Sequence, residues 1–169
     1  MVWKKKIEEF LKSGEAFIPV YENSVGTSVK LFFKDGSTEI LNISCNSFLG
    51  KLLNYFGTSI ATNRRRYGNL IGRKQQVPIA LSYGVILVPF SAREPIGRQA
   101  RTGWVLAKEI HSFIKKSPSK TIIQLSAHQV PVFHSERFCF EQLKNARCIE
   151  LCFGEIHEPH RKSWIFSAG

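Results

Sequence analysis

Three segments of the chain carry apolar residues at helical spacing. In each segment the apolar positions recur three or four residues apart, so they fall on one face of a helix. The first is residues 3–13, with Trp3, Ile7, Phe10 and Leu11 on that face. The other two are residues 48–56, capped by Ser44 or Asn46 and ended by Gly57, and a stretch that begins at Ser135 with Phe138, Cys139, Leu143 and Ala146 inward.

Shorter apolar runs separated by turn-forming residues predict strands. Asp35-Gly36 lies between two such runs and is a strong hairpin signal. Ser82-Tyr83-Gly84 separates a second pair of runs. The predicted hairpins pair residues 29–33 with 39–43, 77–81 with 85–90, and 121–125 with 129–133. Further strands are predicted at 16–21, 104–106 and 148–153, with a basic turn at 64–74 and an exposed basic loop at 91–103; the pattern leaves 111–116 unassigned.

These elements predict an α+β fold built from antiparallel hairpins and a few helices. Residues 37–56 and 127–146 align at an offset of ninety, and the apolar positions 40, 43, 48 and 53 recur at 130, 133, 138 and 143. The alignment predicts two duplicated strand-strand-helix units, with chance similarity as the alternative because identities are few. At 169 residues and 43% hydrophobic content, the chain is predicted to form a single domain over residues 1–169.

Positive charge is concentrated in the middle of the chain. Residues 51–116 hold twelve Lys and Arg and only two acids, and they carry +10 of the chain's net charge of +11. No Asp or Glu occurs between Ile40 and Arg93. A solvated surface normally mixes charges of both signs, whereas a field of one sign suits a polyanion. The distribution therefore predicts binding to nucleic acid.

Seven of these twelve basic residues are Arg, whose planar, weakly hydrated head group suits phosphates and narrow grooves. Arg64, Arg65 and Arg66 are the main candidates for DNA contact, either by insertion into a minor groove or by phosphate contact alone. Thr58 and Ser59 are predicted either to bond phosphate or to terminate a helix. Five further residues are predicted to contact the DNA backbone: Arg73, Lys74, Arg93, Arg98 and Arg101.

Aromatic residues beside the basic segment offer a second kind of contact. Tyr67 is a candidate DNA contact through stacking or wedging between bases, and its alternative is a packed core aromatic. Trp3, Trp104 and Trp164 are predicted to lie in the core or at an interface between chains. Because aromatics next to cations also suit stacking on single strands, an RNA- or single-strand-binding module is the alternative function.

The cysteines and histidines near the end of the chain raise the question of a metal site. Cys148, Cys152, His157 and His160 are zinc-ligand types, but their spacing differs from that of common zinc sites. The predicted strand 148–153 would instead place both thiols on one side, in the core. No metal and no other cofactor is predicted.

A metal-dependent nuclease is the enzyme alternative for so basic a chain. His128, His134 and Glu136 are not accompanied by the paired carboxylates that hold Mg²⁺ in such enzymes. P-loop, G-x-S-x-G and H-E-x-x-H motifs are missing as well. The sequence therefore predicts no enzyme activity.

The N-terminal segment MVWKKKIEEFLK has no apolar run of the length that a signal peptide or a membrane span requires. The chain is therefore predicted to be cytoplasmic, without a membrane partner and with its four cysteines as free thiols.

Several segments, taken in order, resemble the ComK family of competence transcription factors of Gram-positive bacteria. They are Tyr55-Phe56-Gly57-Thr58-Ser59, the basic segment 64–74, Pro78-Ile79, Leu87-Val88-Pro89 and Trp104. The later run TIIQLSAHQVPVFHSERFCFEQLKNA is similar to the family's hairpin and following helix. The resemblance spans roughly residues 15–150.

The resemblance implies a sequence-specific DNA-binding activator of competence genes. Such a protein binds AT-rich duplex sites largely through the minor groove, as a homodimer or higher oligomer on paired half-sites. The resemblance also implies control by a proteolytic adaptor. The chain departs from the family at Arg101-Thr102-Gly103, where members usually carry a Cys just before the Trp.

Overall fold

The structure is a computed structural model that describes residues 2–22, 26–93 and 100–157. Within these ranges the α-helices are α1 (Val2–Ser13), α2 (Cys45–Tyr55), α3 (Ile60–Ile71) and α4 (Glu136–His157), with a 3₁₀ turn at Ala107–Glu109. The strands are β1 (Gly14–Glu22), β2 (Gly26–Phe33), β3 (Thr38–Leu41), β4 (Ile79–Ser82), β5 (Val85–Ser91), β6 (Thr102–Leu106), β7 (Ser112–Ser117), β8 (Lys120–Gln124) and β9 (Gln129–Val132).

The strands form two antiparallel sheets. The larger sheet has six strands in the order β3-β2-β1-β6-β5-β4, and the smaller has the order β7-β8-β9. Within the larger sheet, β1–β3 and β4–β6 are two meanders that meet where Ala16 pairs with Val105 and Phe17 pairs with Trp104. The α+β fold with antiparallel hairpins that the sequence predicts is confirmed.

Both faces of the six-stranded sheet are apolar, because successive residues of a strand point to opposite faces. On β1, Phe17 belongs to one buried cluster and Ala16 to the other. On β6, Trp104 and Val105 divide in the same way. The first face is covered by α1 and α2, and the second by the three-stranded sheet and α4. The core therefore has two layers, one on each side of this sheet.

Three phenylalanine rings form the centre of the first layer. Phe10 of α1, Phe17 of β1 and Phe48 of α2 pack edge to face, with centroid distances of 5.0–5.7 Å. Gly14 follows α1 directly, and a Cβ atom there would lie 2.3 Å from the ring of Phe10. Only a glycine fits this junction, so the aromatic cluster also determines how the chain passes from α1 to β1.

A buried acidic cluster connects the two sheets. The carboxylate of Glu15 in β1 accepts a hydrogen bond from the Ala127 amide at 2.7 Å. Glu109 pairs with Lys34 at 3.0 Å and accepts a hydrogen bond from the Ser126 hydroxyl at 2.9 Å. Burial raises the pKa of Glu15. These contacts attach the β8–β9 turn to the larger sheet.

Two sequence predictions of secondary structure are wrong. The basic segment 64–74, expected to be a turn, lies mostly in helix α3. Residues 148–153, expected to be a strand, continue helix α4. Residues 111–116, left unassigned, lie mostly in strand β7.

The two predicted strand-strand-helix units are present in order, as β2-β3-α2 and β8-β9-α4. Their burial differs at equivalent positions, since Ile40 is half exposed while Val130 is buried. The two hairpins also belong to different sheets.

Truncation of the central ring of the aromatic cluster tests this account of the core. We expect Phe10→Ala to lower the free energy of unfolding by about 3–5 kcal/mol, because it leaves a cavity beside the rings of Phe17 and Phe48. Denaturant unfolding measures the change. Leu151→Ala, at a side chain that is 72% exposed, is the control and should change the free energy by less than about 0.5 kcal/mol. Similar losses in both variants would contradict the assignment of the core.

Candidate nucleic-acid interface

Helix α3 carries the arginine run and is defined at both ends by its own sequence. The Ser59 hydroxyl accepts a hydrogen bond from the Thr62 amide at 3.1 Å and caps the N-terminus. Gly72 ends the helix with a left-handed φ of 68°. Of the two roles predicted for Ser59, the helix-terminal one fits the structure, but it begins α3 rather than ending α2.

One side chain attaches this helix to the larger sheet. Asn63 is buried, and its carbonyl oxygen accepts a hydrogen bond from the Ala80 amide at 3.0 Å. Ala80 lies in β4, the edge strand, whose outer amides would otherwise lack a partner. The amide nitrogen of Asn63 donates to the Ser59 carbonyl at 2.8 Å. Asn63 thus joins the start of α3 to the edge of the sheet.

The inner face of α3 also holds Tyr67 and Gly68. Tyr67 is only 1% exposed and packs in the second core layer, so the packed alternative fits and its ring does not face a nucleic acid. Burial raises the pKa of Tyr67. A Cβ atom at position 68 would lie 2.7 Å from the Arg73 carbonyl, which shows how closely the following segment folds back on the helix.

Arg64, Arg65 and Arg66 are all exposed but point in different directions. Consecutive residues of an α-helix are about 100° apart around its axis. Arg64 lines a groove between α2, α3, β5 and β6. Arg66 lies on the opposite flank, where its Nη1 is 3.4 Å from Nε2 of His157 at the end of α4. Arg65 lies between them on the outer face of the helix.

The predicted backbone contacts divide into two groups. Lys74 and Arg101 are exposed, and Arg101 lines the same groove as Arg64. Arg73 and Arg93 have partners within the protein, and Arg98 lies outside the described residues.

Arg73 and Arg93 are held against the protein by aromatic rings. The Arg73 guanidinium lies 4.6 Å from the Phe138 ring centroid and pairs with Glu141 at 3.6 Å. The Arg93 guanidinium lies 3.8 Å from the Tyr21 ring centroid. Such stacking is typical of arginine and orders its side chain. The side chains of these two arginines are therefore held against the protein and do not extend freely from its surface.

The five exposed cations of this surface have no carboxylate partner within the described parts of the chain. They are Arg64, Arg65, Arg66, Lys74 and Arg101, and we call them the basic face. Like charges without a partner repel one another, and a bound polyanion relieves that repulsion. The basic face therefore has the electrostatic character of an anion-binding surface.

His134 lies at the junction of β9 and α4, close to this face. Its Nε2 accepts a hydrogen bond from the Ser91 amide at 2.8 Å, and its ring stacks on Phe138 at 4.0 Å. Burial, followed by the charges of Arg73 and Arg101, lowers the pKa of His134 from 6.5 to about 4. The neutral imidazole is thus part of the support beneath the basic face.

No group of three or more His, Cys, Asp or Glu residues suited to a metal ion occurs in residues 2–22, 26–93 and 100–157. Cys148 and Cys152 lie one turn apart on α4, and because Cys148 is exposed it is not the core thiol that the sequence predicts. His160 lies outside the described residues. Cys45 and Cys139 are buried, and burial raises the pKa of these thiols to about 12 and about 11.

The strongest remaining constellation for an enzyme is Ser126 with His111 and Glu109. The Ser126 hydroxyl lies 3.0 Å from Nε2 of His111 and 2.9 Å from a Glu109 oxygen. The Ser126 hydroxyl donates to the Glu109 carboxylate, which is also paired with Lys34. These contacts belong to the acidic cluster that attaches the β8–β9 turn to the larger sheet.

Among the described residues, none of the helices has the length and apolar character needed to cross a membrane. Comparison of the chain with protein-family models, with curated proteins and with solved structures finds no match.

The position of His134 predicts how stability depends on pH. Because its pKa is about 4 in the folded chain against the ordinary 6.5, only the unfolded chain takes up the proton between these values. The contribution of the neutral His134 to the free energy of unfolding is therefore complete above pH 6.5 and is lost as the pH falls towards about 4. We expect the melting temperature of His134→Gln to fall less over this range than that of the parent. Equal falls in thermal unfolding experiments would contradict the buried neutral imidazole.

Proposed function

We propose that this protein is a sequence-specific DNA-binding transcription factor that activates competence genes. In this proposal it binds AT-rich duplex sites through the minor groove and the phosphates. The observation that carries the proposal is the basic face: five exposed cations without a carboxylate partner in the described chain, four of them arginines, on and beside a capped helix. The sequence resemblance to the ComK family supplies the competence role and the AT-rich target.

The dimensions of B-DNA restrict how α3 can approach it. A helix with its side chains is about 10–12 Å across, whereas the minor groove is about 6 Å wide. In the proposed complex α3 therefore lies across the sugar-phosphate backbones, and its side chains extend into the groove. Arg65 is the residue on the outer face, so we assign it to the groove and place Arg64 and Arg66 at the flanking phosphates.

The remaining members of the basic face have a positioning role in this proposal. Lys74 and Arg101 contact phosphates on either side of the groove and set the orientation of the protein on the duplex. Arg73, held by Glu141 and Phe138, fixes the segment that carries Lys74. The protein acts in the cytoplasm, as a homodimer or higher oligomer on paired half-sites, and a proteolytic adaptor controls its amount.

Salt dependence tests whether the basic face contacts phosphates. If the four members assigned to phosphates, Arg64, Arg66, Lys74 and Arg101, neutralise one phosphate each, the slope of log K against log salt is about −3.6. We expect Arg66→Gln to reduce the magnitude of this slope by about 0.9. Arg137→Gln, at an exposed arginine of α4 outside the basic face, is the matched control and should leave the slope unchanged. A parental slope flatter than about −2 would show that the basic face mostly meets solvent.

Exchange of arginine for lysine separates groove reading from simple charge. Lysine keeps the charge but is more strongly hydrated, so it enters a narrow groove less readily. We expect the combined exchange of Arg64, Arg65 and Arg66 to lower the preference for AT-rich over GC-rich duplexes by about 1–3 kcal/mol. Arg65→Lys alone should account for most of this loss. Quantitative binding assays on matched duplexes measure the preference.

Arg101→Lys is the control for this exchange, since a phosphate contact carries no sequence information. It should keep the parental preference. Minor-groove ligands should compete with the protein, and methyl groups added in the major groove should have little effect. If major-groove methylation abolishes binding and Arg65→Lys discriminates normally, α3 enters the major groove. If single-stranded RNA outcompetes duplex DNA, the RNA-binding alternative replaces this proposal.

A further inference from the structure

The groove beside α3 is a separate feature from the outer surface of the basic face. Its volume is about 340 Å³, within the range of ligand pockets, which is about 300–1,000 Å³. Leu49, Ile60 and Val77 are its apolar lining residues, and Asn46, Gln75 and Gln76 add amide side chains. The lining therefore offers apolar surface and hydrogen-bonding groups in similar shares, as an amphipathic ligand needs.

The walls of this groove are held in place from beneath. Gln142 of α4 is fully buried, and its Nε2 donates to the carbonyls of Gln76 at 3.1 Å and Pro89 at 3.0 Å. Gln76 and Pro89 both line the groove, in the segment after α3 and in β5. One buried amide therefore ties these two parts of the lining together, as preorganised sites require.

Gln76 also has a left-handed backbone, with a φ of 53°, and it alone does so among the non-glycine residues of the described chain. This conformation is uncommon for a residue with a side chain, and such strain concentrates at binding sites. A glycine would adopt it without cost. The presence of Gln76 here indicates that its side chain has a use at the groove.

Two arginines and an indole complete the lining. Arg64 and Arg101 both belong to the lining and have no carboxylate partner in the described residues. Two guanidinium groups at one cavity suit a phosphate, which they can bind bidentately. Trp104 is 6% exposed, and its Nε1 has no hydrogen-bond partner in the described structure. The indole nitrogen is itself buried, so Trp104 contributes ring surface to the lining rather than an exposed donor.

We propose that this groove binds one nucleoside monophosphate unit, with its phosphate on Arg64 and Arg101 and its base in the apolar trough between the amide side chains. The volume suits one nucleotide. The unit comes either from a free nucleotide or from a nucleotide of an unpaired strand, since both present the same phosphate and base. This binding does not depend on duplex recognition, although both would use Arg64 and Arg101.

Calorimetric titration with AMP, at low salt, tests the proposal on the full chain. We expect one AMP per chain, together with a change in tryptophan fluorescence that is lost in Trp104→Phe. Adenosine and ribose 5-phosphate, which each lack one half of the ligand, should bind about tenfold more weakly or worse. No binding of AMP, or ribose 5-phosphate binding as tightly as AMP, would overturn the proposal, because the cavity would then be unused or only a phosphate site.

Variants locate the site. Gln76→Gly relieves the strain of the left-handed backbone, so the fold is kept, and it removes the amide side chain. We expect AMP affinity to fall by about tenfold and the melting temperature not to fall. Arg64→Gln and Arg101→Gln should each lower AMP affinity by about tenfold or more. Arg65→Gln and Arg66→Gln are matched controls on the same helix and should change it by less than about twofold. Equal effects of all four arginines would show diffuse attraction and overturn the site.

A single-stranded oligodeoxyadenylate identifies the source of the nucleotide. If Gln76→Gly weakens both AMP and this strand, the groove takes a nucleotide of an unpaired strand. If it weakens AMP alone, the ligand is the free nucleotide. Duplex affinity measured on the parent chain separates the two proposals. A parent that binds the duplex but not AMP sinks only the nucleotide site, and a parent that binds AMP but not the duplex sinks only duplex recognition.

Discussion

The apolar character of both faces of the six-stranded sheet is the constraint on which the rest of the structure depends. A sheet of this kind needs a covering layer on each side, because either face left in water would expose a large apolar surface. Helices α1 and α2 cover one face, and the three-stranded sheet with α4 covers the other. Helix α3 covers neither face, although its Tyr67 reaches into the second layer. It lies beside edge strand β4 and against α4, where its arginine-bearing face stays exposed.

The position of α3 depends on a few buried polar contacts rather than on a wide apolar stripe. Asn63 satisfies the Ala80 amide of the edge strand, which both protects that edge from pairing and orients the helix. Gln142 fixes the segment after the helix through the Gln76 carbonyl. Buried amides of this kind are costly to leave unpaired, so they specify one arrangement. The cations of the basic face are thus presented from a rigid support, which lowers the conformational entropy lost on binding.

The sequence predicts the hairpins, α1 and α2 because their apolar residues follow the period of each element, but it does not reveal α3. The inward positions of α3 include Asn63 and Tyr67, and Gly68 lowers helix propensity by about 1 kcal/mol relative to alanine. The sequence features that do indicate α3 are Ser59, which caps its N-terminus, and Gly72, which ends it.

The error at 148–153 arose because five of its six residues are apolar, as in a buried strand, although Ile149, Cys152 and Phe153 also fit helical spacing. The positive charge of the candidate site was visible in the sequence, whereas the groove was not, because a buried amide such as Gln142 leaves no periodic signature.

The most direct test of the central claim is NMR observation of arginine side-chain Nε–H signals during titration with an AT-rich duplex. The account predicts that the signals of Arg64, Arg65, Arg66 and Arg101 shift and that those of Arg137 and Arg147 on α4 do not. Shifts confined to α4, or no arginine shifts on a duplex that is bound, would contradict it.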